Sequence, residues 1–308
     1  MPNSTFSFSG HETFPFRQSW LKKGVDAVEG DPFFFTQEKA MVQLGVGKNM
    51  VGAIRHWCIA ARLIREDTTA IRRGGFVPTQ LGKRLFSDGG FDPYFEDPGT
   101  LWLIHWLIAS NSKIATTWWW MFSKWNGVEF TKDRIAYEVQ SWLEKHGSKV
   151  VSDNSLKRDI DCFARTYIHS RNTKSGVIED TLDCPLVDLR LITELADGKT
   201  YQFQRGPQIS LPNEILVFAL LEFWNGVAPH AKSIAFEKIA YDSASPGRVF
   251  KLDEDSFASR LDIVRRVTHG CLTYDETAGL KQLYKLKQIE LLALLESYYN
   301  KRAVKTAA

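Results

Sequence analysis

Thr36–Ser87, TQEKAMVQLGVGKNMVGAIRHWCIAARLIREDTTAIRRGGFVPTQLGKRLFS, is the stretch on which the fold reading turns. Thr36 stands at an N-cap position for a short helix over Gln37 to Leu44. Gly45 and Gly47 interrupt it, and a second helix is expected from about Lys48 to Ile64. Its apolar residues Val51, Ile54, Cys58 and Ala61 recur at spacings of three, four and three, one face of a helix. The other face shows Lys48, Gly52 and Arg55, flanked by Asn49 and His56. Small residues allow close approach, and amide and cationic tips suit bases and phosphates. Leu63–Glu66 and Ala70–Val77 are expected to pair as strands around the turn Asp67-Thr68-Thr69. Arg72, Arg73, Gly74 and Gly75 then form a flexible, basic part, and Pro78-Thr79-Gln80-Leu81-Gly82 opens a further helix. The stretch reads as a winged helix-turn-helix. The alternative is a helical hairpin with a solvated basic face, since many such modules bind protein instead.

Charge separates this stretch from the remainder. It holds nine Lys/Arg (Lys39, Lys48, Arg55, Arg62, Arg65, Arg72, Arg73, Lys83, Arg84) against Glu38, Glu66 and Asp67, a balance of +6. The whole chain is only +3, so everything else sums to −3. A phosphate backbone rewards such a concentration, because each neutralised phosphate releases counterions. Duplex DNA is the expected partner.

The 308 residues are 44% hydrophobic and 24% charged, an ordinary globular composition with room for two or three domains. Cys58, Cys162, Cys184 and Cys271 stand apart, without zinc-ligand spacing, and read as reduced thiols. The longest apolar run, Leu101 to Ala109, contains His105 and is far short of the ~20 residues a membrane span needs. A soluble, cytoplasmic protein without a membrane partner is expected.

The expected architecture is mainly α with small β wings. Residues 1–91 form an N-terminal arm and winged helix-turn-helix, 92–171 a tryptophan-rich helical region, and 172–308 a helical, winged-helix-like C-terminal domain. Six of the ten tryptophans lie between Trp102 and Trp125. They can stack on unpaired bases, but at helical spacing they read first as core. Helices are expected over Asp133–His146 and over Ser155–Ser170, the latter N-capped by Ser155. Asn172–Ile192 reads as an inter-domain connection. Tyr201–Gln204 is a candidate strand and Pro212–Phe223 a buried helix. Ser233–Asp242, Asp253–Val267 and a strand near Leu272–Tyr274 repeat the helix, helix, strand order of the first module. A closing helix over about Gly279–Arg302 packs on that domain or on a partner subunit of a homodimer.

No phosphate loop, dinucleotide fingerprint or nucleophile elbow is present, so no nucleotide or organic cofactor is expected. Hydrolysing a phosphodiester calls for carboxylates holding a divalent metal, Mg or Mn, or for a histidine or tyrosine nucleophile. Three clusters qualify. His11 and Glu12 with Arg17 could supply base, metal ligand and phosphate clamp. The other reading of that cluster is an N-terminal arm anchored by Phe14 and Phe16. Glu96 and Asp97 with His105 read more simply as a helix start, where acids complement the dipole. Asp159 and Asp161 point about 200° apart on a helix and cannot chelate one ion from it alone. Asp161 is better read in a salt-bridged face with Lys157 or Arg158.

GHETFPFR at 10–17, LGVGKNMVGAIRHW at 44–57, DPYFEDPGTLWLIHW at 92–106 and SLKRDIDCFARTY at 155–167, with DCPL at 183–186 and TAGL at 277–280, together resemble the SspB family. These motifs span nearly the full length and are specific in combination. The resemblance implies a part in single-strand DNA phosphorothioation, in which sulfur replaces a non-bridging phosphate oxygen, and in antiphage defence. It implies a DNA-nicking endonuclease working beside a cysteine desulfurase, an ATPase and a sulfur-transfer enzyme. It brings no catalytic residues with it. The expected site therefore stays with His11 and Glu12, with Arg17 clamping phosphate, ahead of Asp159 and Asp161. DNA is to be met by Lys48, Asn49, Arg55, His56, Arg72 and Arg73. A non-catalytic DNA-binding scaffold and a transcriptional regulator are the rival readings.

Overall fold

The computed structural model describes residues 6–69, 73–147, 151–169 and 184–306. The chain is mainly α-helical with small antiparallel sheets. It forms two units, Met1–Met121 with Trp125–Gln204, and Phe122–Lys124 with Arg205–Ala308.

In the first unit, α1 (Trp20–Gly30) packs on α3 (Lys48–Ala60), which follows the short α2 (Lys39–Leu44). Gly45 ends α2 in the left-handed region at φ 67°, where glycine carries no Cβ penalty. Val51, Ile54, Cys58 and Ala61 are all buried, as their spacing required. Ala53, His56, Trp57 and Ala60 are buried too, so α3 is enclosed around most of its circumference. β1 (Ile64–Glu66) pairs antiparallel with β2 (Phe76–Pro78). The expected strand start at Ala70 and the contact residue Arg72 lie outside the described residues. Thr79 then caps α4 (Gln80–Phe86), its hydroxyl accepting the Gly82 N–H at 3.0 Å.

α5 (Pro98–Ala109) begins as its acids predicted, with the Asp97 side chain accepting the Gly99 N–H at 2.7 Å. α6 (Thr116–Ser123) follows. Trp102, Trp106, Trp118, Trp120 and Trp125 are buried, which confirms the core reading for all of the cluster but half-buried Trp119. β3 (Glu129–Thr131), α7 (Lys132–Lys145), α8 (Asp153–Tyr167), β4 (Ile192–Glu194) and β5 (Thr200–Phe203) complete the unit, with sheet order β3-β5-β4. The cap of α8 is Ser152, not Ser155: the Ser152 hydroxyl accepts the Ser155 N–H at 3.2 Å. Residues 172–183 of the expected connection lie outside the described residues, and Cys184-Pro185-Leu186 follows them. It enters a 3-10 turn, Pro185–Leu189, whose Leu186, Val187 and Leu189 are buried in this unit.

The second unit pairs α9 (Asn213–Val227) with α14 (Leu291–Thr306). Between them run β6 (Ser233–Ala235), α10 (Phe236–Tyr241), α11 (Pro246–Val249), α12 (Glu254–Asp262), α13 (Val264–Val267), β7 (Leu272–Thr277) and β8 (Leu280–Lys285). The sheet order is β6-β8-β7. Two expectations are corrected here. Residues 233–235 are strand, not helix, and the closing helix begins at Leu291, because 280–285 is the return strand of a hairpin. Ala278 and Gly279 have φ 52° and 79° and leave Thr277 paired with Leu280. Such two-residue turns match the twist of the flanking strands and stop a helix from starting there.

The four cysteines are free thiols, Cys58, Cys162 and Cys184 buried and Cys271 half-buried. Burial pushes the Cys58 and Cys162 thiols far up, which suits packing rather than reactivity. No described helix is long and apolar enough to cross a membrane.

Candidate functional site

A groove of about 480 Å³ opens along the N-terminal half of α3. Lys48, Asn49, Gly52 and Arg55 line one wall, Glu38 and Met41 another, and Glu12 enters from the N-terminal loop. Lys48 and Asn49 are exposed and Arg55 half-buried, its guanidinium 5.9 Å from the centre of the Phe76 ring. Glu12, expected as a catalytic residue, and Lys48, Asn49 and Arg55, expected as DNA contacts, thus line one cavity. Arg73 is exposed on the turn before β2, outside the groove lining.

His56 is not on that face. It is only 9% exposed, its Nε2 is buried without a hydrogen-bond partner, and its ring lies under Gly10. A Cβ on Gly10 would stand 2.5 Å from His56 Nδ1, so no other residue fits at position 10 without displacing the ring. Burial, with His11 and Arg55 nearby, lowers the His56 pKa to about 3. It is a neutral wedge beneath the loop and cannot serve as a cationic contact to DNA.

Behind the groove, the structure joins two clusters that lie far apart in sequence. His11 Nε2 is 2.7 Å from Asp159 Oδ1, and both residues are 1% exposed. His11 Nδ1 accepts the Thr13 N–H at 3.1 Å, which puts the ring proton on Nε2, where it is donated to Asp159. Asp159 also accepts the Ser9 N–H at 2.5 Å and the Thr117 hydroxyl. Trp57 and Trp118 close around the imidazole, at 5.9 and 5.5 Å between ring centres. The anchoring of the arm is also as read: Phe16 is fully buried, and the Phe14 carbonyl accepts the Trp57 indole N–H at 2.8 Å.

Asp161 lies on the opposite side of α8, half-exposed and paired with Lys132 at 2.6 Å. Its partner is therefore on α7, whereas Lys157 and Arg158 had been expected. The two aspartates face apart, as helix geometry required. Arg17 sits away from Glu12. It stacks over Trp20 at 5.4 Å and lines a different cavity, of about 1120 Å³, with Lys22, Lys23 and Tyr94. His105, from the third cluster, is fully buried and bonded to the Tyr167 hydroxyl at 2.8 Å. The signal that sequence reading lacked was long-range: no spacing rule brings residue 11 to residue 159.

No curated protein matches the chain. A crystal structure of SspB is similar over 96% of this chain and 88% of its own, at 30% identity and a TM-score of 0.86. A magnesium-bound crystal structure of SspB is similar over the same shares, at 30% identity and a TM-score of 0.85. Residues 8–299 match the family described as protein of unknown function (DUF4007). By both measures the chain is a member of the DUF4007 family and a relative of SspB.

Proposed function

We propose that this protein binds duplex DNA in the α3 groove and nicks one strand, as a component of a phosphorothioation-based modification and antiphage defence system. The observation that carries the reading is the meeting of Glu12 with Lys48, Asn49 and Arg55 in one cavity on the most basic part of the chain. In this reading α2, α3 and the β1–β2 hairpin act as a winged helix-turn-helix. Lys48 and Arg55 meet phosphate, Asn49 meets a base edge, and Arg73 meets the backbone from the wing. In the same reading the segment from β6 to β8, with α10 to α13 between its strands, acts as a second, degenerate winged helix, which the closing β7–β8 hairpin supports.

Magnesium is bound in a solved SspB structure. Among the described residues no group of three or more His, Cys, Asp or Glu is placed to hold a metal. Magnesium, however, is usually held by one or two carboxylates together with phosphate oxygens and water. Glu12 and Glu38 in the groove fit that kind of site. When bound, the cation would neutralise charge on the phosphate. In nicking, water attacks phosphorus and the bond to the leaving sugar oxygen breaks. Lys48 and Arg55 stabilise the charge gathered on the phosphoryl oxygens meanwhile.

The scaffold reading draws on a different observation. Two of the expected catalytic residues, His11 and Asp159, are sealed from solvent. The deciding experiment is supercoiled plasmid incubated with the full-length protein in Mg²⁺, Mn²⁺ or chelator, beside a Glu12→Gln variant. Open circles that require metal and disappear with Glu12→Gln support the nickase. Tight duplex binding without nicking in either metal, with the sulfur-transfer partners present, establishes the scaffold instead.

A further inference from the structure

The loop that carries Glu12 is held in a conformation its residues do not favour. Ser9, Glu12 and Thr13 have φ of 61°, 50° and 70°, and none of them is glycine. Left-handed backbone at ordinary residues persists only where the surroundings over-determine it. Here α8 supplies most of that constraint. Asp159 receives the Ser9 N–H and the His11 ring proton, and the Ser155 carbonyl accepts the Ser9 hydroxyl at 3.2 Å. Arg165 donates to the Thr13 carbonyl, and His56 supports Gly10 from below.

We infer that His11 and Asp159 are positioning residues: their buried pair fixes the Ser9–Thr13 loop so that Glu12 alone is presented to the groove. This deepens the groove reading given above and rests on it. A proton-transferring group must come within hydrogen-bond reach of its substrate. Both His11 nitrogens are engaged inside the fold, and both Asp159 oxygens accept donors there. Glu12 is the opposite case. It is exposed, and its Cγ lies 3.6 Å from where a Cβ on Gly52 would be, so the small residue on α3 leaves it room.

Thr117 separates positioning from packing, because its hydroxyl binds Asp159 while its side chain is fully buried. Thr117→Val keeps the shape and loses the donor; Thr117→Ser keeps the donor and loses a methyl. The full-length variants, with Asp159→Asn, are compared by amide hydrogen exchange, duplex affinity and plasmid nicking. Positioning predicts exchange at residues 9–13 at least tenfold faster in Asp159→Asn and Thr117→Val, with exchange in α3 unchanged. Nicking falls at least tenfold in both, duplex Kd stays within threefold, and Thr117→Ser behaves as the parent. The inference is overturned if Thr117→Val matches the parent while Thr117→Ser loosens the loop. It is equally overturned if Asp159→Asn leaves exchange at residues 9–13 unchanged. A parent protein that never nicks removes the nicking reading alone, since hydrogen exchange still decides whether the pair holds the loop.

Discussion

The basic module at 36–87 and the module at 233–285 both place helices ahead of a β-hairpin, yet they present different surfaces. The first carries +6; the second has eight basic and eight acidic residues and no net charge. On α3, Lys48 and Asn49 are exposed along the groove. On α12, the exposed residues are Glu254, Asp255, Ser259 and Asp262. The one arginine of α12 is turned inward, where Arg260 donates to the carbonyls of Pro207, Gln208 and Leu211 and to Asn213 Oδ1, at 2.8–2.9 Å. A shared order of elements therefore fixes how a helix is displayed, and the side chains on it decide what it can meet. An acidic helix repels phosphate, so of the two modules only the first suits the DNA contact proposed above.

The comparison breaks most directly on DNA affinity. Lys48→Ala/Asn49→Ala/Arg55→Ala should weaken duplex binding about 100-fold and reduce the salt slope by about 2. Arg265→Ala/Arg266→Ala, two exposed cations of the second module, should change affinity less than about twofold. Equal losses, read by fluorescence anisotropy across a salt series, would put both modules on DNA.

Stability should rank the two arginines in reverse. Arg260→Ala leaves several carbonyl partners without a donor and should cost about 2–3 kcal/mol. Arg55→Ala, which gives up a contact over Phe76, should cost less than about 1 kcal/mol. Urea melts of the full chain give both figures, and similar costs would mean that Arg260 is as superficial as Arg55.

A pH effect of comparable size belongs to the first unit. His56 has a pKa of about 3 in the fold and an ordinary value of ~6.5 when unfolded. Between those values the unfolded chain binds the extra proton, so stability falls as pH falls through that window. From pH 7 to pH 5 the loss is about 2 kcal/mol. His56→Phe should flatten the slope, measured by melts at both pH values. An unchanged slope would place the acid sensitivity elsewhere.

The smallest expected effect lies in the second hairpin. Ala278 occupies left-handed backbone beside Gly279. Ala278→Asn should add about 0.5 kcal/mol, because Asn-Gly is the preferred pair for such turns. A lower melting temperature would show that the hairpin tip is shaped by something other than its turn.

Local chemistry was legible in the sequence. The buried stripe of α3, the Asp97 cap of α5 and the tryptophan core all followed from spacing and residue type. Three of the short strands were not. β3, β4 and β6 are too short to show alternation, and each is defined by a partner elsewhere in the chain. β8 was misread because Leu280, Leu283 and Leu286 are three apart, a helical spacing that the Ala278-Gly279 turn overrides. His56 was placed on the exposed face because periodicity assigns a helix one buried side, and α3 is enclosed on several. At the site, Glu12 and the α3 residues were each picked out by residue type, but in separate groups, and only the fold brings them into one groove. The Asp159 contact arises only from tertiary packing.

The bond between His11 and Asp159 spans 148 positions. A ribosome releases the amino end first and adds roughly 5–20 residues per second. The GHETF segment must therefore wait about ten seconds or more before α8 exists to receive it. Until then the loop bearing Glu12 lacks the support of α8, and the groove is complete only after the central helices have emerged and docked. Assembly of this site on the nascent chain is thus a late event, although Glu12 is made long before the helix that positions its loop.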